Sequence, residues 1–296
     1  MIFWDGVGLG REDPAVNPFF SARLPAFSAL FGGSIPSLRK RRIIASHASV
    51  TPVNTTLGVP GLPQSGTGQT TIFTGVNASK KIGKHFGPHP YSTLVPLIKE
   101  KNIFSQLRRK GKTFYFVNAF PKRYFEFINS PRGKTPTVAL SYLSAGATLN
   151  TVADIETGQA LSADFTNEGL NRFGYNLQII TPFDAGKRFH AIGQTFDFTL
   201  FEFFFSDKAG HAREMKGSVD VLERVDGLLA GILDSFDFEK DILIFISDHG
   251  NLEDLTTKSH TRNPVPLIVV GNRRKYFSDR IKSLTDVTPA IVEFLS

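Results

Sequence analysis

The sequence predicts an α/β fold, with a mostly parallel central sheet covered by helices and a smaller inserted α+β cap. Three observations predict it. Short apolar runs of strand length alternate with amphipathic helical stretches at both chain ends. The run Asp241 to Ile246 is almost continuously apolar, as strands buried on both faces are. Residues 85–185 lose that punctuation and mix Gly, Pro and polar turns. The expected division is therefore a core of residues 1–84 and 186–296 and an inserted cap of residues 85–185.

The elements follow in order. Met1 to Trp4 is apolar and enters the glycine-rich stretch Asp5 to Gly10, which reads as a strand followed by a loop. Asn17-Pro18 supplies a cap and a first-position proline for a helix whose apolar face is Leu24, Phe27, Leu30 and Phe31. Val50 to Gly68, rich in Thr, Pro, Gly and Ser, reads as an extended loop, and Gly68 to Thr74 as the start of a helix. Leu94 to Arg109 has helical spacing and stops at Gly111. Thr113 to Val117 is a strand. Beyond the irregular middle, Asp184 to Thr195 is a helix, Phe196 to Phe205 a strand and Ser218 to Phe236 a helix. Asp241 to Ile246 and Pro266 to Val270 are strands, and Asp286 caps a final helix.

Composition removes several classes of function. The chain has 296 residues and no cysteine, which excludes disulfides, thiolate-held zinc or iron–sulfur clusters and a catalytic thiol. No run approaches the ~20 apolar residues of a membrane span. The first residues lack the basic and apolar regions of a secretory signal, so the expected location is cytoplasmic. The net charge is +7. The basic residues are scattered apart from Arg39-Lys40-Arg41-Arg42, so an anionic small substrate, rather than nucleic acid, is the expected partner.

The chemistry lies at the strand ends. Asp5 follows the first strand, Asp207 and His211 follow Phe203-Phe204-Phe205, and Asp248-His249 follow Leu243 to Ile246. His260 stands just before the strand containing Leu267. Each has an ordinary explanation as a turn or cap residue. Together they are three carboxylates and three imidazoles at apolar strand ends, where unpaired charge is costly and a cation compensates it. Oxygen and imidazole donors suit Mn²⁺ or Zn²⁺. The loop Pro63 to Thr70 adds Ser65 at a helix entrance, where it serves either as an N-cap or as a nucleophile beside N–H groups that favour phosphate. Thr67 and Thr70 are nearby hydroxyls. The loop lacks the Gly-Lys-Ser/Thr of a Walker A motif.

With these pieces in this order, the sequence resembles the alkaline phosphatase superfamily, in its branch of cofactor-independent phosphoglycerate mutases and phosphopentomutases. The matching segments are Asp5-Gly6-Val7-Gly8, the Ser65 loop, Asp207-Lys208-Ala209-Gly210-His211, Ser247-Asp248-His249-Gly250-Asn251 and His260 to Pro266. They cover the two chain ends, and the middle does not match the large cap of the classical mutases. The resemblance implies a three-layer sandwich and two divalent metal ions. One would be held by Asp207, His211 and His260, the other by Asp5, Asp248, His249 and the Ser65 oxygen. It implies a metal-activated Ser65 nucleophile, a phosphoserine intermediate, and a phosphomonoesterase or phosphomutase reaction. Gln69 stands where the family often has His. Lys84, Arg123 and Arg132 are the candidate substrate contacts from the cap and its edge. A phosphodiester or phosphonate hydrolase, or a metal-binding relative without turnover, is the alternative. A sulfatase is disfavoured, because the Ser65 loop lacks that branch's Pro and Arg.

Overall fold

The computed structural model describes residues 1–296. Its nine strands are β1 (Ile2–Trp4), β2 (Ile43–Ile44), β3 (Ala48–Val53), β4 (Phe114–Phe116), β5 (Ala119–Phe120), β6 (Asn150–Thr151), β7 (Phe198–Phe203), β8 (Leu243–Ile246) and β9 (Val265–Val270). Seven form one sheet in the order β2-β3-β9-β8-β1-β7-β4. The run β8-β1-β7-β4 is parallel throughout. β9 is antiparallel to β8 and to β3, and β2 is antiparallel to β3.

Side-chain alternation along the strands builds two cores, one on each face. Phe3 with Ile244 and Ile246 packs on the helices Ser65–Thr74, Ile103–Arg109 and Val287–Phe294 through Ile72, Phe73, Phe104, Leu107 and Ile291. Ile2, Trp4, Phe201, Phe203 and Phe245 face the other way, onto Leu222, Val225 and Leu229 of the helix Met215–Leu233 and Phe189 of the helix Pro182–Gly193. The result is a sheet sandwiched between two helical layers. No helix is long and apolar enough to cross a membrane.

Several local expectations are corrected. The helix expected from Asn17 is split into a 3-10 turn, Pro18–Phe20, capped by Asn17, and a helix, Pro25–Leu30, that restarts at a second proline. The helix expected across Leu94 to Arg109 breaks at Asn102. That residue is extended and accepts from the Ser105 N–H at 2.8 Å, so it caps a second helix instead of continuing the first. Ala48 to Val53, partly read as loop, is the strand β3, because β9 offers a full edge for six paired residues. Asp286 caps the preceding 3-10 turn rather than the final helix, accepting from the Ser283 N–H at 2.8 Å.

The 85–185 segment is divided between the sheet and a small lobe. β4 is the edge strand of the central sheet, paired with β7, and Phe104, Leu107, Val138 and Tyr142 are buried in the main core. Apolar side chains along these short helices required a large surface to cover, and the sheet supplies it. The two-stranded β5–β6 ribbon stands apart, over a cluster of Ala119, Ile155, Ala160, Leu170 and Leu177.

Candidate metal centre

The parallel strands bring their carboxyl ends to one edge, and four segments deliver polar side chains there. Asp5 leaves β1 with its N–H bonded to Phe203 O at 3.0 Å. Gly6 then turns at φ +73°, and a Cβ on it would lie 2.7 Å from the Asp207 backbone and side chain. Only glycine lets these two segments meet so closely. Asp207 and His211 sit four residues apart on the helix Phe205–Ala212, hence on one face. Asp248 and His249 follow β8. His260 precedes β9, and because β9 runs opposite to its neighbours, its start lies at the same edge.

The structure groups these residues in two clusters, Asp207–His211–His260 and Asp5–Asp248–His249, with the donor atoms of each within 4.8 Å of one another. In the first, His211 Nε2 is 3.3 Å from Asp207 Oδ2 and 3.2 Å from His260 Nε2. In the second, His249 Nε2 is 3.4 Å from Asp5 Oδ1 and 3.6 Å from Asp248 Oδ2. The clusters adjoin, since the His249 and His260 rings stack with centroids 3.6 Å apart. Ser65 opens the helix Ser65–Thr74 and places its Oγ 2.9 Å from His249 Nε2. The Thr67 hydroxyl instead donates to Gln64 O and the Thr70 hydroxyl to Gly66 O, so among these three hydroxyls only that of Ser65 faces the clusters.

The atoms fit divalent cations on three counts. Asp5 Oδ1 and both Asp248 carboxylate oxygens are buried without a hydrogen-bond partner, a costly state for groups of this charge. Burial pushes both carboxyls up, helped by repulsion from Asp248 and Asp207 on Asp5 and from Asp207 on Asp248, and burial pushes the His249 imidazole down to about 3. The protein alone therefore stabilises neither the anions nor an imidazolium there, and each residue offers a lone pair. In the first cluster, His211 Nδ1 meets Lys258 O at 3.0 Å and His260 Nδ1 meets Pro63 O at 2.8 Å. Carbonyls only accept, so the protons are on Nδ1. In the neutral rings, the two Nε2 lone pairs then face each other, an arrangement that a cation relieves.

Beside Ser65 lies an open hollow of about 410 Å³, lined by Gln64, Gly87, Asp207, His211, Lys258 and His260 among others. A second hollow, lined by Lys84, His85 and Phe86, shares Leu62, Gln64 and Gly87 with the first. Lys84 is held over Tyr91, with its ammonium 4.8 Å from the ring centre. Arg123 and Arg132 line neither hollow; Arg123 stacks on Phe173 at 3.4 Å, and Arg132 is exposed. His85 is occupied structurally between Ser79 Oγ and Val59 O. Lys258 was not singled out from the sequence, nor was Asn251, which donates to Asp207 Oδ1 at 2.7 Å. Gln69 Nε2 lies 3.5 Å from Asp5 Oδ2.

Residues 185–296 match the family model described as "Metalloenzyme superfamily". A 2,3-bisphosphoglycerate-independent phosphoglycerate mutase from Antithamnion sp. is 32% identical over 111 residues, which are 35% of this chain and 22% of the mutase. A phosphopentomutase from Alkaliphilus metalliredigens is 32% identical over 92 residues, 28% of this chain and 23% of the relative. The chain thus spans less than a quarter of the length of these relatives. In fold, the PH0037 protein from Pyrococcus horikoshii matches with a TM-score of 0.59 at 15% identity over 99% of this chain and 95% of its own. The alkaline phosphatase of the Antarctic bacterium TAB5 matches with a TM-score of 0.50 at 12% identity over 100% of this chain and 98% of its own. Over residues 185–296 the chain is thus similar in sequence to the metalloenzyme superfamily and to these mutases, and over its whole length it shares the fold of alkaline phosphatase.

Proposed function

We propose that the protein is a metal-dependent phosphoryl-transfer enzyme that hydrolyses phosphomonoesters through a phosphoserine formed on Ser65. The observation that carries this reading is the Ser65 Oγ at the amino end of a helix, 2.9 Å from His249 Nε2 and beside two ligand clusters. Asp207, His211 and His260 would hold one divalent ion, and Asp5, Asp248, His249 and Ser65 Oγ the other, Mn²⁺ or Zn²⁺ in each case. Bound there, the ions would supply Lewis acidity, which favours the serine alkoxide and offsets charge on the phosphoryl oxygens.

The residues do the rest. The Thr67 N–H of the helix Ser65–Thr74 is taken by Phe86 O at 2.9 Å, so the Ser65 and Gly66 N–H groups are those left to favour the charge of the incoming phosphoryl group. Ser65 Oγ attacks phosphorus, and the bond to the alcohol oxygen breaks. The hydroxyl proton passes to solvent in the open hollow, and the departing oxygen takes one up. Water then attacks the phosphoserine, releasing phosphate and restoring the hydroxyl. Hydrolysis, rather than return to the same substrate as in a mutase, is favoured by access: the His211 side chain is 46% exposed, and Lys258 and Ser259 on the rim are exposed. Lys84, together with Lys258 and Arg262, forms no ion pair with any carboxylate and would receive an anionic leaving group. A cytoplasmic setting belongs to the same reading.

The test is a screen of Mn²⁺- and Zn²⁺-loaded protein against phosphomonoesters, sugar phosphates, phosphodiesters, phosphonates and sulfates. Release of phosphate from monoesters, lost in Ser65→Ala, is the expected result. Preference for diesters, or isomerisation without phosphate release, would replace this reading with another member of the superfamily's repertoire.

A further inference from the structure

We propose that Glu253 is the positioning residue that holds the segments of both ligand clusters in register, and that it sets their metal affinity without touching a metal. The proposal rests on the metal reading above. Glu253 is 1% exposed and belongs to neither ligand cluster. No Lys, Arg or His side chain pairs with it, so hydrogen bonds alone compensate the burial of its two oxygens.

Four donors supply that compensation, and they come from three segments. Oε2 accepts from the Gly8 N–H at 2.9 Å and the Asn251 N–H at 2.8 Å. Oε1 accepts from the Thr261 hydroxyl and from Asn263 Nδ2 at 3.0 Å. Gly8 lies three residues after Asp5. Asn251 lies two residues after His249, and its own amide donates to Asp207 Oδ1 at 2.7 Å and Asp207 O at 3.1 Å. Thr261 adjoins His260. One carboxylate therefore ties together, directly or through Asn251, every strand-end segment that carries a candidate ligand. The backbone is cut to receive it: a Cβ on Gly8 would lie 2.3 Å from Oε1, and a Cβ on Gly250 2.2 Å from the same atom.

The demand is for a carboxylate specifically. A glutamine has one acceptor oxygen and one amide that only donates. Facing Gly8 and Asn251, its amide would meet two backbone N–H groups that only donate, leaving them unpaired; facing Thr261 and Asn263, it would be satisfied only if that hydroxyl and that side-chain amide both turned round to accept. Outer groups that orient metal ligands typically change metal affinity about 10–100-fold when removed.

The experiment measures Zn²⁺ and Mn²⁺ affinity by competition with a chelator, alongside circular dichroism and urea melts of the metal-free protein. Glu253→Gln is expected to keep the fold and bind about 10–100-fold more weakly. Thr261→Val and Asn263→Ala, each removing one donor, are expected to bind more weakly by smaller factors that do not add fully to that of Glu253→Gln, because they break the same network. A purely structural role predicts lowered metal-free stability with wild-type affinity, and that result overturns the proposal. If Glu253→Gln does not fold, wild-type affinity in the Thr261→Val, Asn263→Ala double variant overturns it equally. A wild-type chain that binds no divalent ion removes the proposed function and this inference together. A chain that binds ions and loses them in Glu253→Gln, yet turns over no phosphoester, supports the inference and removes only the proposed reaction.

Discussion

Replacing Gly68 by alanine sets two opposed effects against each other. Gly68 lies inside the helix Ser65–Thr74, where alanine is favoured over glycine by about 1 kcal/mol. Yet the added Cβ would lie 2.8 Å from Asp248 Cβ and 3.1 Å from Asp248 O. Carbon atoms rest about 3.5–4.0 Å apart, so the helix and the Asp248 turn must separate by roughly 0.7 Å or more. Overpacking of this kind costs about 1–3 kcal/mol. Gly193, the last residue of the helix Pro182–Gly193, is the control, because open space surrounds its added Cβ. Urea melts should therefore place Gly68→Ala about 1–3 kcal/mol below Gly193→Ala. Because the displacement falls on Asp248 and on the helix that carries Ser65, turnover should drop by about 10–100-fold. A Gly68→Ala protein as stable as Gly193→Ala, with wild-type turnover, would refute the claim that helix and metal turn are in contact at their limit.

Other perturbations follow from the same geometry. Ser65→Ala should abolish phosphate release while mass spectrometry of the purified protein still finds bound metal; normal turnover would move the nucleophile elsewhere. Lys84→Ala should raise KM for monoesters that carry a second anionic group, by a few-fold to about tenfold, and leave KM for uncharged alcohol leaving groups unchanged. Burial and the neighbouring Asp248 push the Glu202 carboxyl from 4.5 up to about 8. A carboxyl whose folded value is raised holds its proton better in the native state, so its contribution is present at low pH and is lost as pH rises through that window. Metal-free protein should therefore be less stable to urea at pH 8 than at pH 5, and Glu202→Gln should flatten the slope. Identical slopes in the two proteins would contradict the assignment.

The clustering of the candidate ligands was legible because each follows, or closely precedes, an apolar run too short to be anything but a buried strand. Asp5, Asp207 and Asp248 stand where such runs stop, and buried acids there demand compensation. The direction of β9 was not legible: Val265 to Val270 is fully buried, and such a run reads the same whichever way it points. The antiparallel course is nevertheless what brings His260 to the site. The 85–185 segment misled because its helices are short and interrupted, while the surface that Phe104 and Leu107 cover is built from strands remote in the chain. Glu253 was invisible for a related reason. In Gly250-Asn251-Leu252-Glu253-Asp254 it reads as a solvated turn, and its partner Gly8 is 245 residues away. The local signal that bears on it is the pair of glycines, Gly8 and Gly250, whose missing side chains make its room.

The central claim is that six side chains from four remote segments hold two cations beside one serine hydroxyl. Anomalous diffraction from crystals grown with Zn²⁺ or Mn²⁺ measures this directly. The account predicts two peaks, one among Asp207, His211 and His260 and one among Asp5, Asp248 and His249, with Ser65 Oγ in contact with the second. No peak at either position, or metal bound only away from these residues, would contradict it.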